Sequence, residues 1–71
     1  MGEKLTGLRR KVLEHIEYHS EGGKYGVRVP DAWITEADAS VADGQSTPRD
    51  LHGRKLTDAG RAALQKDEPH G

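Results

Sequence analysis

Seventy-one residues without a cysteine allow one domain around one core, and exclude disulfides, thiolate metal sites and a cysteine nucleophile. The large aliphatics are six Leu, four Val and two Ile, the aromatics only Trp33, Tyr18 and Tyr25, so the core is thin and supplies no more than about 3–5 kcal/mol of net stability. A net charge of −1 gives no global pull toward phosphate, and no apolar run approaches the roughly 20 residues of a membrane span.

Leu5, Leu8, Val12 and Ile16 recur at helical spacing and predict an amphipathic helix over residues 4–20, with Leu13 widening its apolar stripe. Gly22-Gly23 ends it. Arg9-Arg10-Lys11 on its flank reads as a phosphate contact or as a solvated helix edge partly neutralised by Glu14 and Glu17. His15 and His19 stand four apart, a spacing that could serve a metal. Two ligands do not make a site, so the pair is read as half-buried histidines at the edge of the core, with no metal and no cofactor.

Tyr25-Gly26-Val27-Arg28-Val29 alternates in period two and suits a strand that Pro30 ends. Ala32-Trp33-Ile34-Thr35 is read as a second strand, the alternative being the start of a short helix. Trp33 is assigned to the core rather than to base stacking. Residues 36–48 are acidic and small-residued, contain Asp43-Gly44 and Thr47-Pro48, and are expected to form a mobile loop or hairpin turn. Thr47-Pro48-Arg49-Asp50 resembles a helix start that Gly53 soon interrupts. His52 to Leu56 then reads as a short extended segment. Thr57 caps a last helix with Asp58 in its first turn, and Leu56, Ala59, Gly60, Ala63 and Leu64 form its apolar stripe. Gly60 inside that helix costs up to about 1 kcal/mol against Ala, and so small a residue would let another backbone approach closely.

Charge is segregated along the chain. Residues 1–30 carry six basic and four acidic side chains, residues 31–43 carry Asp31, Glu36, Asp38 and Asp43 with no base, and residues 44–66 carry five basic and two acidic. The expected fold is α+β: an N-terminal helix, a small antiparallel sheet of two or three strands, and a C-terminal helix, within a single domain ordered over about residues 4–66.

The run Leu56-Thr57-Asp58-Ala59-Gly60-Arg61-Ala62-Ala63-Leu64, with Arg54-Lys55 before it, resembles the end of the wing and the helix that follows it in MarR- and PadR-type winged helix-turn-helix regulators. The likeness spans about eleven residues. It implies a winged-helix-like framework and a nucleic-acid-binding, regulatory role, with Arg49, Arg54, Lys55 and Arg61 near the wing as phosphate contacts. The basic triplet of the first helix adds Arg9 and Arg10 independently of the likeness. Residues 24–50 read as strand-like, acidic or loop-like, and a recognition helix of about ten residues cannot be placed between the first helix and the wing without crossing Pro48 or Gly53, so no base-reading residue carries over.

The alternative is a protein-interaction module, a bacterial or phage accessory protein that modulates a host protein through the acidic 31–43 segment or an apolar surface. A homodimer would cover apolar surface that so thin a core cannot. No G-x-S-x-G, Walker glycine loop or H-E-x-x-H occurs, so no enzyme is expected. The composition fits a cytoplasmic protein with no membrane contact.

Overall fold

The computed structural model describes residues 7–66. It contains three α-helices: α1 (Gly7–Ser20), α2 (Ile34–Ala42), entered through a 3-10 turn at Asp31–Trp33, and α3 (Asp58–Lys66). Helix α1 packs against both α2 and α3. No residue of the described chain lies in a β-strand, so the expected α+β fold with an antiparallel sheet, and the winged-helix-like framework built on it, is replaced by a helical one.

The apolar stripe of α1 holds at Val12, Leu13 and Ile16, while Leu8 is 39% exposed and Leu5 lies outside the described residues. Val12, Leu13 and Ile16 are fully buried and form the centre of the core, joined by Val27, Ala37, Leu56 and Leu64. Glu21, Gly22 and Gly23 all have positive φ, and the amides of Gly23 and Tyr25 donate to the Ser20 carbonyl oxygen at 3.2 and 3.0 Å. This left-handed run satisfies the end of the helix and reverses the chain.

The sheet fails for identifiable reasons. Val27 exchanges two backbone hydrogen bonds with Arg54, at 2.8 and 2.9 Å, and the ladder stops there. Two further antiparallel pairs, Ser46 with Leu56 and Asp50 with Gly53, also stay isolated. Between them Thr47 N–H donates to the Lys55 carbonyl at 2.8 Å, but Lys55 N–H turns to the Thr47 hydroxyl at 2.9 Å. Pro48 has no N–H to offer. Residues 45–57 therefore double back as an irregular hairpin, and Thr47-Pro48 opens no helix.

Residues 31–42 overturn two more expectations. Ala32-Trp33-Ile34-Thr35 is helical rather than extended, and most of the segment expected as a mobile loop belongs to α2. Three alanines favour the helix, and Ile34, Ala37 and Val41 share one face of it, with Ala37 fully buried. Glu36 lies in the first turn, where the helix dipole favours a negative charge. At the other end Gly44, with φ +77°, turns the chain, and Gln45 N–H closes on the Ser40 carbonyl oxygen at 2.8 Å.

Helix α3 starts as its sequence indicates, with the Thr57 hydroxyl accepting from Gly60 N–H at 3.0 Å. Its buried positions are Gly60 and Leu64. A Cβ on Gly60 would strike the Gln45 carbonyl oxygen, so the glycine is what lets the loop after α2 lie directly on α3. Trp33 is half-buried, packs against the core and meets the His15 ring edge-on at 5.6 Å.

Candidate nucleic-acid interface

The six basic residues singled out in the sequence do not form one surface. Arg9 reaches from α1 across the end of α2. Its Nε donates to Glu36 at 2.6 Å, and its Nη1 to Asp43 at 2.9 Å and to the Gln45 side chain at 2.6 Å. Burial disfavours the charged guanidinium, but the hydrogen bonds and charges of Asp43 and Glu36 outweigh it, and the Arg9 pKa lies above the ordinary arginine value. Arg10 pairs with Glu14 at 3.0 Å along α1, and Arg61 with Asp58 at 2.9 Å along α3.

Arg54 is turned inward. It is 3% exposed, and its Nη2 donates to Asp38 Oδ1 at 2.7 Å. The cause is the pleat of an extended chain, in which neighbours point to opposite sides. Arg54 and Leu56 go into the fold and Lys55 between them comes out. Arg54 and Lys55 therefore serve different ends despite being adjacent.

Arg49 is exposed and Lys55 half-exposed. They border the tight turn at Asp50–Gly53, where Asp50 and Gly53 pair through their backbones and the Asp50 carboxylate accepts from His52 N–H at 2.8 Å. Gly53 takes φ +103°, and a Cβ on it would strike the backbone of Val27. A Cβ on Gly26 would strike the His52 carbonyl. The two glycines let the turn sit directly on residues 26–27, so the turn is held by backbone contact.

That contact brings in two cations that sequence reasoning missed, Lys24 and Arg28. One cleft beside the turn is bordered by Lys24, His52 and Lys55, a second by Arg28, Arg49 and Arg54, and Asp50 lies between them on both. The period-two pattern around Val27 carried the signal, since a buried Val27 leaves Arg28 pointing away from the core. Lys24, Arg28, Arg49 and Lys55 make no ion pair among the described residues. At the tip Leu51 is 95% exposed and nearby Tyr25 54%.

Helix α2 carries Glu36 and Asp38 and no basic side chain. It occupies the stretch where a base-reading helix was sought but cannot approach phosphates by charge. His15 is half-buried, as read, whereas His19 is exposed. Their rings lie 4.5 Å apart. His15 Nε2 lies 3.1 Å from the Arg28 carbonyl oxygen, and a carbonyl only accepts, so that nitrogen carries the proton. No cluster of three metal-binding side chains occurs among the described residues, and no helix there is long and apolar enough to cross a membrane. The chain matches no protein-family model, no curated protein and no solved structure.

Proposed function

We propose that this chain is a small nucleic-acid-binding regulatory protein that holds the phosphate backbone with Lys24, Arg28, Arg49 and Lys55 around the 50–53 turn. The observation that carries the reading is the sorting of charge. Glu36, Asp38 and Asp43 of the acidic segment are engaged by Arg9 and Arg54, while the four cations at the turn keep no carboxylate partner among the described residues. A chain of net charge −1 thus pairs three carboxylates of its acidic segment with Arg9 and Arg54 and leaves four cations around a turn whose clefts carry Asp31 and Asp50.

Phosphate contacts position a protein without selecting sequence. The expected binding is indifferent to base sequence and steep in salt. Four neutralised phosphates give a slope of log K against log salt near −3.6, a loss of roughly 150-fold between 50 and 200 mM. The test is fluorescence anisotropy of a labelled random duplex at both salt concentrations. Arg28→Glu with Arg49→Glu should abolish binding. Binding unchanged by that pair, or no binding at low salt, would remove the proposal. Arg54 is unsuitable for this test, because a buried carboxylate there would act through folding.

A second reading rests on Leu51 and Tyr25, 95% and 54% exposed at the turn, whose apolar surface suits the anchor of a protein interface. It makes the chain a protein-interaction module. Leu51→Ala would then abolish partner capture, and added salt would leave capture intact.

A further inference from the structure

Arg54 has a buried nitrogen that the fold does not satisfy. Nη2 is bonded to Asp38, yet Nη1 is buried with no hydrogen-bond partner. A guanidinium has five donors and keeps its proton, and buried polar groups left unpaired are few and call for an explanation such as a bound water or ion. Arg54 lines the cleft between residues 27–34 and the 49–53 turn, about 250 Å³ in volume. Arg28 and Arg49 border the same cleft. The titratable groups facing it are these three arginines with Asp31 and Asp50. The Asp50 carboxylate is engaged by His52 N–H.

We infer that this cleft is a discrete site for one phosphate-type oxyanion, with Arg28 and Arg49 closing on it and Arg54 as its inner wall. The guanidinium fork matches phosphate oxygens in geometry as well as charge. Nη1 is closed off from solvent, so a shift of the Arg54 side chain toward the cleft would bring it to the oxyanion, which then supplies the acceptor it lacks. The volume lies below the usual 300–1,000 Å³ of drug-sized ligand pockets, which suits a phosphate with its waters rather than a whole nucleotide. The site rests on the nucleic-acid reading insofar as its phosphate belongs to a strand. A free phosphate presents the same chemistry.

The test titrates the full chain with inorganic phosphate, balanced by chloride at constant ionic strength, and follows amide and arginine Nε–H resonances by NMR. Saturating shifts confined to Arg28, Arg49, Gly53 and the Arg54 Nε–H are expected. Arg28→Gln with Arg49→Gln should weaken them at least tenfold and leave the melting curve without phosphate unchanged. At ten times its dissociation constant, phosphate should raise the folding constant of the parent chain about elevenfold and that of the double variant hardly at all. A 5′-phosphorylated oligonucleotide acting at a tenth of the phosphate concentration assigns the site to a strand, and equal potency assigns it to free phosphate. Linear shifts, or shifts spread equally to Lys11 and Lys66, overturn the site. Duplex binding with no phosphate response removes the site and leaves the wider reading standing. Saturable phosphate binding with no duplex binding does the reverse.

Discussion

Arg54 and Asp38 form an unequal pair, with side chains 4% and 66% exposed. Removing the buried member strands nothing, because the carboxylate left behind is in water. Removing the exposed member takes the one carboxylate from a buried cation whose Nη1 already lacks a partner. Asp38→Ala is therefore expected to cost about 1–3 kcal/mol, read as a lowered urea midpoint. Arg54→Met keeps the length of the side chain and removes the unsatisfied donor, and replacing a buried ion pair by apolar side chains is often neutral or stabilising. Its midpoint should stay within about 1 kcal/mol of the parent. A larger loss for Arg54→Met than for Asp38→Ala would show that packing of the arginine stem outweighs its charge. The inward turn of Arg54 could be read from its place two residues before the apolar Leu56 in an extended segment. Grouping it with Lys55 as a basic pair hid that alternation.

Between elements, the contact that decides the packing is α3 against the loop that leaves α2. By helix propensity Gly60→Ala should gain up to about 1 kcal/mol. Its new methyl would meet the Gln45 carbonyl oxygen, a backbone atom with little freedom to move. Overpacking of this kind costs about 1–3 kcal/mol, so a net loss is expected in thermal denaturation, and a rise in midpoint would mean that the loop can yield. The same loop is tied to α2 by Ser40 and Ser46, both buried, whose hydroxyl oxygens lie 2.7 Å apart. Ser40 Oγ donates to the Ala37 carbonyl oxygen at 2.6 Å, so Ser46 donates to Ser40. Ser40→Ala, which strands the Ser46 hydroxyl, should cost about 1 kcal/mol, Ser46→Ala less, and the double variant less than their sum. Helices α1 and α3 were legible because periodicity and the Thr57 cap are local signals. Helix α2 was not, because its buried face is built from Ala37 and Ser40, whose small side chains give almost no hydrophobic contrast. The sheet was over-read because the pattern of Val27 and Val29 reports burial on one side, while a ladder also needs partner amides that Pro30, Pro48 and the Lys55–Thr47 side-chain bond withhold.

Across the whole molecule, the two uses of charge predict opposite responses to salt. The cations of the pairs that hold the fold are sheltered, although Asp43 and Asp38 are 59% and 66% exposed: the Arg9 side chain is 12% exposed and spans α1, α2 and the loop after α2 through Glu36, Asp43 and Gln45. Such pairs are screened far less than exposed ones. With a net charge of −1 there is little self-repulsion for salt to relieve. The cations at the 50–53 turn face solvent and act over the range that salt shortens. Raising sodium chloride from 50 to 500 mM should therefore shift unfolding free energy by less than about 0.5 kcal/mol, near the scale of exposed ion pairs. If the turn holds phosphates as proposed, a binding slope near −3.6 over the same range removes more than a thousandfold of duplex affinity. Both quantities come from one preparation, by urea denaturation and by anisotropy. Parallel loss of stability and affinity would mean that salt acts through the fold, and the cations at the turn would then not be the contact surface. Affinity lost from a fold of unchanged stability would place the salt-sensitive charges outside the core, as the proposed surface at the turn requires.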